Sequence, residues 1–308
     1  ATVEVTVTDP FVPVSGLTLG ADSTTIPVGK HEALGIIITP ANATDPQLLF
    51  ESSNTEILDV DPHGVITGIS AGTATVTVKA NDGSNKTATI DITVYDIKAE
   101  SKQIFDIATN NNKIDASVDP TIADIQLYYK SSNEYVVKVD ENGNLTLKDT
   151  GIATITVSDG PEGNATITKE IDVYVIDAYV YLTDLNYNYD FYTIGEHEFG
   201  AAVEPDNCTV NSFTIVPSDT SIAEFDDERK ILTVKVADTV KLTAVIVVDV
   251  DGTEYTVTRT FDAECRIPSS IDTRITNNNL VLEVGKVFTF DPIVTPVGLS
   301  YEIEPDYS

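Results

Sequence analysis

A phrase recurs four times along this 308-residue chain, and a repeat of that length fixes architecture before any single residue is weighed. Residues 26–95 read IPVG, ITPANATD, ESSNTEILDVDPHGVITGISAGTATVTV and KTATIDITV in order. A second copy has VDP at 118–120, KSSNEYVVKVDENGNLTL at 130–147 and TGIATITV at 150–157. A third has IGEHEF, VEPDN and PSDTSIAEFD, and a fourth has LEVGKVFTFDPIVTP. The proline that closes the second strand of each copy stands at Pro40, Pro120, Pro205 and Pro296, in steps of 80, 85 and 91 residues. Ser52 and Ser131 open the Ser-Ser-Asn phrase 79 residues apart, and Gly72 and Gly151 keep the same interval. Steps of this size suit one small sandwich domain per copy.

The periodic stretches are rich in Thr, Val and Ile, which favour half-buried strands. Val3, Val5 and Val7 alternate with polar residues, as do Ala74, Val76 and Val78, and Ile90, Ile92 and Val94. In the second copy Ala153, Ile155 and Val157 face away from Ile152, Thr154 and Thr156, so one face of each strand is apolar. No sustained helical stripe occurs. Turn residues separate the runs at 61–64, 81–83, 141–144, 159–161 and 251–252. The expected fold is all-β: tandem antiparallel β-sandwich domains arranged as beads on a string, with a barrel as the alternative.

The run VGKHEALGIIITPANATDPQLLFESSNTEILDVDPHGVITGISAGTATVTVKANDGSNKTATIDITV resembles the group 2 bacterial immunoglobulin-like (Ig-like) domain. That family shares a V-G-x start, a T-P-x-N-A-T segment, an S-S-N core, a G-x-V-T-G turn and an A-G-T-A-T strand. The second copy lacks the V-G-x start, and the third keeps scattered anchors; these two are placed by spacing. The expected boundaries are 14–96, 97–177 and 178–265 for three Ig-like domains. Residues 1–13 would be a closing strand of a preceding unit or an amino-terminal arm, and 266–308 the first strands of an incomplete fourth domain. Such ends fit an excised piece of a longer protein, or strands completed by another chain. Linkers as short as Tyr95-Asp96-Ile97-Lys98 would hold the domains in a semi-rigid row.

The formal net charge of −31, from 18 basic and 49 acidic residues, is spread over all copies. Such a field disfavours nucleic acid and anionic membrane as partners and favours solubility and cation binding. Candidate calcium acids are Asp249, Asp251 and Glu254, the run Asp226, Asp227 and Glu228, and the junction acids Asp9, Asp96 and Asp177. A solvated surface is the competing reading, and no cofactor is required. The stretch 140–144 superficially matches the start of a helix-loop-helix calcium loop, but Gly151 stands where the bidentate acid belongs, so a hairpin turn is expected there.

Cys208 and Cys265 are the two cysteines. In a seven-strand sandwich they fall at opposite poles, beyond the roughly 7 Å Cα limit of a disulfide, so both are expected to be unpaired. His31 and His197 share a repeat position at a strand start, His63 sits in a turn, and no hydrolase, phosphate-loop or dinucleotide motif occurs. A non-catalytic chain is expected. Tyr179, Tyr181, Tyr187 and Tyr189 are candidates for contact with a glycan or a neighbouring subunit, against the alternative that some of these rings fill the core.

The resemblance implies an extracellular location, in bacterial surface adhesins, surface-layer proteins or the decoration, tail and fibre proteins of phage. Domains of this kind serve as stalks, spacers or weak glycan-binding modules. The expected partners are therefore neighbouring domains or subunits of a surface or virion assembly, and glycans, with no direct membrane insertion. Alternatives are a carbohydrate-binding module using the third unit's tyrosines, or accessory domains of a secreted hydrolase.

Overall fold

A computed structural model describes residues 11–44, 47–183 and 192–266, together with the strands Ser270–Asp272 and Ile293–Thr295. The expected strands at 1–9, the proline Pro296 and most of the fourth copy lie outside the described residues, which are all β. The chain forms two compact units, the first made of the chain up to Gln103 with Asn110–Val173, the second of Ile104–Thr109 with the chain from Tyr174 on.

The first unit opens with nine strands: β1 (Gly16–Gly20), β2 (Thr25–Pro27), β3 (His31–Ala33), β4 (Gly35–Thr39), β5 (Leu48–Ser52), β6 (Leu58–Val60), β7 (Val65–Gly68), β8 (Gly72–Ala80) and β9 (Thr87–Ala99). One layer comprises β3–β7–β6 and, past Leu34, β4 with β1; the other is β2–β9–β8–β5. Alternation decides what lies between them. Ala74, Val76, Val78 and Ala80 of β8 point inward while Thr73, Thr75 and Thr77 do not. Ile26, Leu58, Ile66, Ile92 and Val94 complete the core from both layers. Among these nine strands the pairings are antiparallel except β2 with β9, where Thr25–Pro27 runs parallel to Thr93–Tyr95. The opening strand changes layers after Gly20, which lets it run beside the closing strand.

The second sandwich comprises β10 (Lys102–Asp106), β11 (Ala116–Asp119), β12 (Tyr128–Ser131), β13 (Val137–Val139), β14 (Leu145–Leu147), β15 (Gly151–Ser158) and β16 (Thr168–Leu182). In the second unit follow β17 (Tyr192–Thr193), β18 (Gly195–Glu204), β19 (Cys208–Pro217), β20 (Ala223–Asp226), β21 (Ile231–Val234), β22 (Thr239–Val250) and β23 (Thr253–Arg266). There β16–β18–β21–β20 faces β17–β23–β22–β19, around Phe199, Ile215, Leu232, Leu242 and Ala244. A second apolar cluster in this unit joins Tyr174, Ile176 and Ala178 to Ile246, Val248 and Val257. The short strands β24 (Ser270–Asp272) and β25 (Ile293–Thr295) pair with each other.

The repeated phrases are the parts of the backbone that need special residues. In Ser-Ser-Asn, Ser52 Oγ accepts from Asn54 N, Ser53 Oγ from Thr75 N at 2.9 Å, and Asn54 Oδ1 from Glu56 N. Ser131, Ser132 and Asn133 repeat all three bonds. The turn expected at 140–144 is a hairpin turn: Asp140 Oδ1 accepts from Asn142 N and Asn144 N, as Asp61 Oδ1 does from His63 N and Val65 N. These bonds hold both carboxyls below the ordinary range, for Asp61 chiefly through Val65 N and for Asp140 chiefly through the Asn144 side chain. Their stabilising contribution is present above the unfolded carboxyl range and is lost as pH falls through the folded values.

Gly72 and Gly151 have φ of 149° and 144°, where an L side chain is strained. A Cβ on Gly72 would also lie 2.7 Å from Ile57, and one on Gly151 3.1 Å from Val136. Gly72→Ala is therefore expected to destabilise the first sandwich by about 1–3 kcal/mol, read as a lower urea midpoint at unchanged slope. An effect below about 0.5 kcal/mol would show that neither φ nor Ile57 constrains the site.

Candidate functional site

The candidate features centre on how strands pass from one sandwich to the next. Tyr95-Asp96-Ile97-Lys98, expected as a linker, lies inside β9, a continuous strand of 13 residues. Up to Val94 it pairs with β8 and closes the first sandwich, and Asp96–Ala99 pair with Asp119–Ala116 of β11 and open the second. No flexible residue intervenes. Ile97 is buried, and the Tyr95 hydroxyl donates to Asp159 Oδ2 at 2.9 Å. Asp159 is fixed in turn, its Oδ1 accepting from Thr166 N and Ile167 N. Burial first, and then the hydrogen bond to Asp159 and the Asp159 charge, push the Tyr95 phenol well above its usual range.

Asp159-Gly160 was legible as a turn; its second role was not. The Asp-Gly turn at 82–83 does the same, Asp82 Oδ2 accepting from Val14 N at 2.7 Å. Within the second unit, Asp251 of the Asp-Gly turn accepts from the Tyr174 hydroxyl at 3.0 Å. Each of these aspartates thus bonds to chain that precedes its own sandwich strands.

The second unit adds a charged cluster that sequence reasoning missed. The Arg259 guanidinium on β23 forks onto both carboxylate oxygens of Asp106, Nη2 lying 2.7 Å from Oδ1, and reaches Asp177 Oδ1 at 2.9 Å. The Asp106 side chain is 6% exposed and that of Arg259 20%. Hydrogen bonding to Asp106 is the largest influence raising the guanidinium's already high pKa.

Asp177, one of the candidate calcium acids, is paired with Arg259. Asp96 Oδ1 accepts from Ile97 N, Asp249 Oδ1 from Gly252 N, and Glu254 Oε1 from Asn211 Nδ2. Asp226 Oδ1 accepts from Glu228 N and Arg229 N, and Asp227 is paired with Lys230. Among the described residues no three His, Cys, Asp or Glu side chains converge as a metal site. Asp9 lies outside the described residues.

Tyr179 and Tyr181 stand two residues apart on β16, both exposed, with ring centroids 6.3 Å apart. Their partners on β18 are Ala202 and Gly200, and the Tyr181 ring lies so close over Gly200 that a Cβ there would sit 2.7 Å from it. Tyr187 and Tyr189 lie outside the described residues.

Cys208 and Cys265 are free buried thiols in different core clusters, at opposite ends of the β22–β23 hairpin. Desolvation raises both thiol pKa values, the opposite of what a nucleophilic cysteine needs. His31 Nδ1 lies 2.8 Å from Thr67 Oγ1, and His197 is buried edge-on to Tyr192. Among the described residues no helix is long and apolar enough to cross a membrane.

Residues 13–90 match the family model of the bacterial Ig-like domain (group 2). The chain is 36% identical over 92 residues to an Ig-like virion protein of Serratia phage KSP90, covering 30% of this chain and 35% of that protein. It is 33% identical over 84 residues to a 3-O-alpha-D-galactosyl-alpha-L-arabinofuranosidase of Bifidobacterium longum subsp. longum, covering 27% of this chain and 7% of that enzyme. The three amino-terminal domains of the outer capsid protein Hoc of bacteriophage RB49 overlay with a TM-score of 0.36 at 12% identity, over 82% of this chain and 99% of that one. The chain spans at most 35% of the length of these curated relatives. With its paired layers, its Ser-Ser-Asn turn and its matched pattern, the first sandwich is a bacterial Ig-like domain of group 2.

Proposed function

We propose that this chain is a non-catalytic structural segment of a protein displayed outside the cell, on a bacterial surface or a virion, where it spaces and orients the domains or subunits it adjoins. The observation that carries this reading is β9, whose uninterrupted run closes one sandwich and opens the next, with Tyr95 bonded to Asp159 beside it. A joint without a linker transmits orientation, which a spacer requires and a tether does not. The Ig-like virion relative supports the same setting. The reading needs no cofactor.

Nitrogen-15 relaxation on the intact chain tests it. Both sandwiches of the first unit are expected to share one rotational diffusion tensor, and independent tumbling would overturn the reading. Tyr95→Phe removes one hydrogen bond and is expected to lower stability by about 1 kcal/mol at neutral pH. Because the folded phenol pKa is raised, the wild-type contribution is intact below about pH 10 and declines as pH rises further, a decline the Phe variant lacks. Parallel alkaline stability curves would show that Tyr95 is not responsible.

A second reading, contact with glycan, rests on the exposed Tyr179 and Tyr181 rings. The arabinofuranosidase relative is compatible with an accessory role beside a hydrolase. Loss of glycan binding on Tyr181→Ala, with the fold retained, would support it.

A further inference from the structure

One turn recurs in all three sandwiches, and in the third it breaks its own pattern. Gly64 O, Gly143 O and Lys230 O each accept from a backbone N–H at 2.9 Å, of Leu34, Ile114 and Phe199 respectively. All three residues have positive φ, at 80°, 79° and 59°, which glycine adopts freely and lysine does not. An aromatic ring faces each of them. A Cβ on Gly64 would lie 3.0 Å from Phe50, one on Gly143 3.0 Å from Tyr129, and Lys230 Nζ sits 4.9 Å from the centre of the Phe213 ring. These rings belong to β5, β12 and β19, each at one end of its sheet.

What differs is the edge strand beside the turn. β5 and β12 are five and four residues long and carry one charge each, Glu51 and Lys130. β19 runs for ten residues, CTVNSFTIVP, with no charged side chain. A long uncharged edge offers its unpaired N–H and C=O groups to any extended chain. Ser218 N bonds to Lys241 O, and counting back along the alternating ladder turns the backbone polar groups of Phe213, Ile215 and Pro217 away from β22. The bulge between Val210 and Ser212 interrupts one end of this edge, and Pro217, which has no N–H, blunts the other. The middle is covered from the turn. Lys230 Nζ donates to Phe213 O at 2.7 Å, Asp227 Oδ1 holds the ammonium at 2.9 Å, and Asp227 also bonds to the Thr214 side chain.

We propose that Lys230 is an edge guard, whose side chain keeps β19 from pairing with β19 of a second copy of this chain. The charge that β5 and β12 carry themselves is here supplied by the neighbouring turn, which accounts for a lysine where the other two sandwiches have glycine. A second copy is the partner that fits. Two such strands, set antiparallel about a two-fold axis, meet without opposing like charges, in a chain whose net charge of −31 makes contact elsewhere repulsive.

The guard does not depend on the spacer reading. Lys230→Gly tests it, because glycine suits the positive φ and occupies the equivalent turn in the other two sandwiches. Sedimentation velocity compares the intact chain and the variant from about 10 μM to 1 mM, in enough salt to screen the charge. Lys230→Gly should self-associate at least about tenfold more tightly than the parent. Hydrogen exchange at 212–216 should slow as its concentration rises. Lys230→Asn also tolerates the turn but cannot reach Phe213 O, and it should behave as the Gly variant does. The proposal is overturned if both variants associate no more than the parent, even with a lower urea midpoint, since the lysine would then serve only the packing of its own sandwich. It is equally overturned if association leaves exchange at 212–216 unchanged, since the contact would then lie elsewhere.

Discussion

Arg259→Met is expected to destabilise the second unit by about 3–5 kcal/mol. Methionine preserves much of the side chain's length and removes the cation. That strands Asp106, whose carboxylate is 6% exposed and receives both arms of the guanidinium fork. Its remaining neutral partner is Ala108 N, bonded to Oδ1 at 3.0 Å, which cannot neutralise a buried charge. Asp177 contributes less to the penalty, because at 40% exposure water can solvate it once Arg259 is gone. Arg259→Met combined with Asp106→Leu should recover most of the loss, since replacing both members of a buried pair by apolar groups is close to neutral. Urea titration of the two variants separates the cases, and the coupling between the sites should exceed about 2 kcal/mol. A loss under about 1 kcal/mol for Arg259→Met alone would mean that the pair breaks even against its own desolvation and does not hold the unit together.

That cluster also marks where sequence reading stops. Pro40, Gly72, Ser52 and Asp61 were legible because each answers a local demand of the backbone: a strand end, a positive φ, a turn closed by a hydroxyl, a carboxylate over two amides. The inward faces of β8 and β15 were legible because strand geometry alternates sides. Arg259 is 153 residues from Asp106 and 82 from Asp177, so no local pattern joins them. Asp177 was read as a candidate calcium acid, and the cation beside it in the structure is a side chain from a distant strand. A trace of this was available: Arg259 interrupts a strand whose neighbours are Thr258 and Thr260, where a bulky cation requires a reason. The continuity of β9 was hidden differently. Tyr95 to Lys98 alternate as a strand would, but the repeat boundary falls among them, and a boundary suggests a linker. Asp82 and Asp159 were accounted for as turn residues, and Asp251 as a turn residue and candidate calcium acid, which left their bonds to Val14, Tyr95 and Tyr174 unsought.

Leu58→Ala is expected to destabilise the first sandwich by about 2–5 kcal/mol, whereas Leu49→Ala should change it by less than about 0.5 kcal/mol. The two leucines are the same residue type in neighbouring strands, and the difference is only the face they occupy. Leu58 on β6 is fully buried with Ile66 and Ile92, so truncation forfeits both the transfer of its methyl groups from water and the contacts around the cavity left behind. Leu49 is 52% exposed on β5, the edge strand of its sheet, where water fills the space its side chain vacates. Chemical denaturation of the two variants reads the contrast directly, with unchanged slope as the sign that the unfolded state is not altered. Similar losses from both would mean that β5 is covered in solution by something that buries its outer face, such as a second chain paired along the open edge. A small loss from Leu58 alone would mean that the layers β3–β7–β6 and β2–β9–β8–β5 do not close on each other as described, and with that the sandwich itself would be wrong.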